Sequence, residues 1–193
     1  MPPKPLIQSP TKRRAVIAAA MVVFMIGSLA WAALLSVSHR VDVGGLSVEV
    51  PRSWKARKAD HQVFDHAMEF TLLDDPPETV TLGALAPGKA ASLTDAAAAV
   101  LLDVAADSTE LSVAARRPIH AGPLKGVQIA FVGRATSQAM IPQYLIAILT
   151  DESRYWAIVV QDWAFVDPYT GRLHSTGRNA ALMEQVLAKV AVE

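Results

Sequence analysis

Residues 142–161 read Pro142-Gln143-Tyr144-Leu145-Ile146-Ala147-Ile148-Leu149-Thr150-Asp151-Glu152-Ser153-Arg154-Tyr155-Trp156-Ala157-Ile158-Val159-Val160-Gln161. Tyr144 to Leu149 is apolar at every position, the pattern of a central strand covered on both faces. Further on, Trp156, Ile158 and Val160 fall on one face of a strand, and Ala157, Val159 and Gln161 on the other. Asp151-Glu152-Ser153 is all that joins the two runs. So short a joint connects antiparallel neighbours, because a parallel pair needs a crossover of about a dozen residues. The spacing predicts strands over 142–150 and 154–162.

The same reading extends on both sides. Strands are predicted over 110–117 and 125–134, joined through Gly122-Pro123-Leu124-Lys125-Gly126 and, after the second, Ala135 to Ile141. Before them, Ser92-Leu93-Thr94-Asp95 opens a helix. Ser92 caps the first free amides and Asp95 favours the positive helix end. The run after it has high helix propensity, with Leu93, Ala97, Val100, Leu101 and Val104 on one face and an end near Asp107. Residues 66–85 form a hairpin whose long turn holds Asp74-Asp75-Pro76-Pro77. Leu46, Val48 and Val50 alternate with polar residues as a first strand, ended by Pro51. Ser38 to Gly45 reads as a connector, and Arg52 to Gln62 as polar chain without periodicity. At the far end, Trp163 to Ser175 reads as a loop. Ser175 or Thr176 then caps a last helix through about Val190, with Leu182, Val186, Leu187 and Val190 as its apolar stripe. The order β-β-β-α-β-β-β-β-α gives an α+β fold, a mostly antiparallel sheet with helices on its faces.

Ahead of all this, residues 15–37 carry no charge, and Lys12, Arg13 and Arg14 stand just before them. A helix of that length spans about 35 Å, enough for a bilayer core of about 30 Å. The basic residues on its N-terminal side predict a cytoplasmic N-terminus. The expected organisation is a cytoplasmic basic tail (1–14), a transmembrane signal anchor (15–37), a linker (38–44) and an extracytoplasmic domain (45–193). The alternative is cleavage near Ala32, since Ala30-Trp31-Ala32 fits a signal-peptidase pattern. Abundant alanine and a single asparagine, Asn179, suggest a GC-rich bacterial genome, hence a bacterial inner membrane and envelope location.

The chain's net charge is zero, yet all 18 acidic side chains and only 14 of the 18 basic ones follow residue 37, a net of −4 there. That balance argues against a nucleic-acid partner. The absence of cysteine excludes a lipoprotein anchor, disulfides and thiolate metal sites.

Gly83-Ala84-Leu85-Ala86-Pro87-Gly88-Lys89-Ala90 nearly fits a phosphate-binding loop, with Asp151-Glu152 resembling the acidic end of a second nucleotide motif. Ala90 lacks the hydroxyl for magnesium, Pro87 lacks an amide, and the helix begins too late. No nucleotide is expected. Asp60-His61 and Asp65-His66 offer metal-ligand atoms, but nothing places them on one face. His120 and His174 have no visible partners, and no G-x-S-x-G nucleophile turn occurs. No catalytic, cofactor or metal residues are assigned.

Two groups remain as binding candidates. Trp163, Phe165, Pro168 and Tyr169 make the last loop aromatic, which suits partner recognition. Arg52, Lys55, Arg57 and Lys58 around Trp54 form a basic patch suited to lipid headgroups or an acidic partner.

Gly45-Leu46-Ser47-Val48-Glu49-Val50-Pro51-Arg52-Ser53-Trp54 resembles the opening of the Mog1/PsbP-like domains, a first strand followed by proline and then tryptophan. The Ser92-Leu93-Thr94-Asp95 helix start, the strand entered through Gly122 to Gly126, the Tyr155-Trp156 strand and the closing helix agree in order, over about 45–190. The resemblance implies an α/β/α sandwich. It also implies a binding or assembly module, since that family includes photosystem accessory proteins, a nuclear transport cofactor and bacterial envelope proteins. A membrane-anchored accessory domain with a protein partner is therefore expected. An envelope hydrolase and a structural subunit of a membrane complex are the alternatives.

Overall fold

A computed structural model of the chain describes residues 17, 20–25, 37–72, 78–104, 110–134, 140–167, 169–170, 173–175 and 177–192. The chain divides into two compact units, Met1–Val37 and Ser38–Glu193. In the first, the described residues 17 and 20–25 are helical, and Met21, Val22, Val23, Phe24 and Met25 are exposed. The rest of the expected span, and the Ala32 cleavage position, lie outside the described residues, Val37 excepted. Among the described residues, no helix is long and apolar enough to cross a membrane.

The second unit contains strands β1 (Ser38–Val43), β2 (Leu46–Pro51), β3 (Lys55–Lys58), β4 (Phe64–Thr71) and β5 (Thr79–Leu85). Helix α1 (Leu93–Val104) follows, then β6 (Glu110–Ala121), β7 (Leu124–Arg134), β8 (Met140–Thr150), β9 (Tyr155–Val166) and β10 (Leu173–Ser175). Helix α2 (Arg178–Leu187) and β11 (Val190–Val192) close the chain. An eight-stranded sheet runs β3-β4-β5-β9-β8-β7-β6, with β10 also on β9, and a three-stranded sheet runs β1-β2-β11. Every pairing among the described residues is antiparallel. β10 meets Ala164 to Val166 just past the stretch, Trp156 to Gln161, where β5 pairs with β9. The α+β, mostly antiparallel expectation therefore holds.

The large sheet is covered on both faces, which explains the unbroken apolar run in β8. Ile146, Ala147, Ile148 and Leu149 are all fully buried. Val80, Leu82, Leu149, Trp156, Ile158 and Val160 pack under Val41, Val43, Leu46, Val48 and Val50 of the small sheet and Met183 and Val186 of α2. On the opposite face, Ala96, Ala97 and Val100 of α1 pack with Ile129, Ile146, Ile148, Ala157 and Val159. Each fully buried Val, Leu, Ile or Met among these contributes about 1.5–3 kcal/mol through removal from water, and each alanine less. The α1 start is as expected. The Asp95 amide donates to Ser92 Oγ at 3.1 Å, and that hydroxyl donates to Asp95 Oδ2 at 2.8 Å.

Several boundaries need correction. The 38–44 connector is mostly strand β1. Gly44 and Gly45, at φ 58° and 85°, turn the chain so that Val43 faces Leu46 across the ladder. That double left-handed turn suits glycine and closes a tight hairpin. The polar stretch Arg52 to Gln62 contains β3. The expected Trp163–Ser175 loop is shorter, because β9 runs through Val166 and β10 takes Leu173–Ser175. Of the two expected caps of the last helix, the Ser175 side chain lies outside what the structure describes, and Thr176 is outside the described residues. Gly177 stands at the cap position with φ 69°. The helix ends at Leu187, and Val190, expected on its stripe, pairs with Val48 in β11. Met183, not anticipated, is fully buried in its place.

The near phosphate loop is explained by packing. Gly83 lies within β5, where a Cβ would stand 2.6 Å from the Phe64 ring. Glycine there makes room for an aromatic side chain laid across the strand.

Candidate functional site

β9 is central along most of its length, and its far end carries the first candidate group. Trp163 and Phe165 share one face, beside Pro142 and Met140, which stand directly across from them on β8. Tyr144 continues this row and stacks on Phe131 of β7, with ring centroids 4.6 Å apart and planes at 10°. α1 packs on the same face around Ile146 and Val159. The row therefore extends from the α1 core toward the sheet end. Trp163 is half-buried and Phe165 is 39% exposed. Pro142 is tolerated because pairing between β7 and β8 stops at Val132↔Gln143, one residue before it.

After β9 the chain turns on Asp167. Its Oδ1 accepts the amides of Tyr169 at 2.8 Å and Thr170 at 3.1 Å. Those donors, the Tyr169 amide foremost, hold the Asp167 carboxyl below its usual pKa. The turn presents Tyr169 at 96% exposure. His174 of β10 stands across from Phe165, with Nε2 3.7 Å from Asp167 Oδ2. Trp163, Phe165 and Tyr169 are thus held near one end of the sheet, the first two on a strand and not in a loop. Pro168 lies outside the described residues.

The second group divides. Trp54 turns inward, its amide donating to Pro51 O at 3.1 Å and its ring 6.1 Å from Phe70. It packs against the core. Arg52 is exposed in the turn. Lys55, Arg57 and Lys58 lie on β3, whose four residues are all exposed. Arg57 pairs with Glu69 of β4 at 2.7 Å. At the end of β3 an open cleft of about 450 Å³ is lined by Asp42, Val43, Lys58, His66, Ala67 and Met68. Sequence reading missed this cleft, since β1 and β3 that bound it were not recognised as strands.

The four residues considered for metal do not converge. His61 Nδ1 is 2.7 Å from Asp103 Oδ2 of α1, while His66 faces its neighbour Asp65 at 3.5 Å. Among the described residues no group of three or more histidine or acidic side chains is placed to hold a metal ion.

Comparison with known proteins adds the fold. Over 81% of this chain, the structure superposes on the Saccharomyces cerevisiae Ran-binding protein Mog1p at a TM-score of 0.52 and 12% identity, covering 95% of that protein. A point mutant of Mog1 gives a TM-score of 0.51 at 12% identity, covering 96% of it. The cyanobacterial PsbP of Synechocystis gives 0.54 at 11% identity, with 81% of this chain and 92% of that one covered. The chain has a Mog1/PsbP-like fold. No protein-family model matches it, and no curated protein matches it by sequence. The resemblance in element order thus extends to three dimensions, although at this identity it is a likeness of fold alone.

Proposed function

We propose that the chain is an accessory binding module that holds a protein partner at the Trp163–Phe165 end of its large sheet and is tethered to a membrane by residues 15–37. The carrying observation is the pairing of a half-buried Trp163 with a 39% exposed Phe165 on a rigid strand. Aromatic side chains fixed this way bury large area at little entropic cost, the property that makes them anchors in interfaces. Tyr169, held out by the Asp167 turn, extends the surface. A Ran-binding protein of the same fold supports a protein partner for this one. The exposed Met21, Val23, Phe24 and Met25, in an uncharged run preceded by Lys12, Arg13 and Arg14, support the tether and an extracytoplasmic domain in the bacterial envelope.

A photo-crosslinking amino acid at position 165 of the full-length chain, in intact cells, tests the site. The expected result is one discrete protein adduct, identified by mass spectrometry and missing when the probe is moved to exposed Glu184 of α2. Equal labelling from both positions overturns the site. Carbonate extraction tests the tether, since release of the full-length chain into the soluble fraction removes it.

A further inference from the structure

We infer that β3 is an acceptor edge, where an acidic, extended segment of a partner polypeptide adds a strand to the large sheet. The first argument is main-chain geometry. The Ala59 amide donates to Ala67 O at 3.2 Å, in continuation of the pairs Lys58↔Met68, Arg57↔Glu69, Ala56↔Phe70 and Lys55↔Thr71. Bonded and non-bonded pairs alternate along an antiparallel ladder. Arg57 and Lys55 therefore exchange bonds with β4, while the N–H and C=O groups of Ala56 and Lys58 point away from it. Among the described residues no strand pairs with β3 on that side. Two donors and two acceptors stand ready for another chain.

Charge selects the occupant. Lys58 projects on the face of Met68, and Lys55 on the face of Thr71. Among the described residues neither carries an ion pair, whereas Arg57 is committed to Glu69. A strand laid along β3 sets its side chains alternately beside Lys58 and beside Lys55 and Arg57. Acidic residues there meet a lysine on either face. The same lysines repel a second copy of this basic edge, so one device disfavours self-pairing and favours an acidic strand. The cleft beyond Lys58 supplies a further contact. Buried Val43 and Ala67 line it with Met68, and the polar side chains of Lys58, His66 and Asp42 complete its lining. It suits one apolar side chain of the incoming strand. An anionic lipid surface would use the lysines alone and leave the main-chain groups of Ala56 and Lys58 unmatched.

This rests on reading the chain as a binding module, but it uses a surface several strands away from Phe165. The test is selection of peptides from a random phage-displayed library on the full-length protein. The expected sequences are rich in Asp and Glu and free of proline at their centre. A synthetic copy of the best one should slow amide exchange at Ala56 and Lys58. Lys55→Glu with Lys58→Glu should weaken its binding more than about tenfold. Ala56→Pro should do the same, since it removes an outward N–H while leaving the bonds to β4 intact. Circular dichroism of each variant verifies folding, and the exchange measurement on the unaltered protein stands without them. Binding that survives Ala56→Pro, selection of no acidic peptides, or retention on phosphatidylglycerol vesicles in place of peptide overturns the inference. None of these results touches the position-165 adduct, so the two readings fail separately.

Discussion

Trp156 and Trp163 lie on the same strand, yet they occupy opposite situations. Trp156 is fully buried; its indole N–H donates to Gly44 O at 3.0 Å, and Arg154 lies 4.9 Å above its ring. Trp163 points to the other face and is only half-buried beside Phe165. Both residues have β8 alongside. The difference comes from the layer above each. The β1–β2 hairpin closes over Trp156, whereas the α1 core centres on Ile146 and Val159 and the Trp163 row extends away from it. An aromatic side chain on a central strand is sealed or left partly exposed according to what is packed on it. Its residue type does not decide.

The comparison breaks most readily at Trp156. Trp156→Ala should cost about 3–5 kcal/mol, read from urea denaturation, through the cavity and the lost Gly44 bond. A loss below about 1 kcal/mol would show that the hairpin does not depend on this anchor. Gly44→Ala is expected to cost about 1–3 kcal/mol, because its Cβ would stand 2.5 Å from that of Ala84 at φ 58°. Full stability in that variant would mean the tip lifts freely from the sheet.

Asp151 gives a smaller effect, in acid. It positions Arg154 beside Trp156, with Oδ2 accepting from Nη2 at 3.1 Å. Desolvation raises its pKa, but the Ser153 hydroxyl, the amides of Arg154 and Ser153, and the Arg154 guanidinium outweigh that. They bring it from the ordinary 3.8 down to about 2. The unfolded chain thus binds more protons in that window, so this group's stabilisation is complete above about pH 4 and is lost as pH falls toward 2. Asp151→Asn should flatten that part of the stability–pH curve; an unchanged slope would remove the assigned role. Smallest in stability is Phe165→Ser, expected to change unfolding free energy by no more than about 0.5 kcal/mol while reducing partner binding. A large destabilisation would make Phe165 a core residue, and the contrast with Trp156 would vanish.

Legibility followed burial. Strands β8 and β9 showed plainly because each has both faces covered and so carries an apolar residue at nearly every position. The α1 start was equally legible, as a cap is a contact between Ser92 and Asp95 alone. β3 was not legible: Lys55-Ala56-Arg57-Lys58 has no apolar alternation, and only its ladder with β4 makes it a strand. β1 did leave a signal, Val41-Asp42-Val43-Gly44-Gly45-Leu46-Ser47-Val48, alternation on both sides of a double-glycine turn. Trp163 and Phe165 read as loop residues, since Asp162 interrupts the apolar run, but they lie on β9. That aspartate is buried and its Oδ1 accepts the Trp163 amide at 2.7 Å.

By itself, then, the amino-acid order determined the α+β class, the antiparallel centre and the first helix, because those follow from periodicity and from contacts a few residues long. Tertiary structure decided the edges, the covering hairpin and the cleft beside β3. The edges, the cleft and the face on which the hairpin lies depend on which distant segment lies alongside, and alternation within a strand shows that one face is buried but not what buries it.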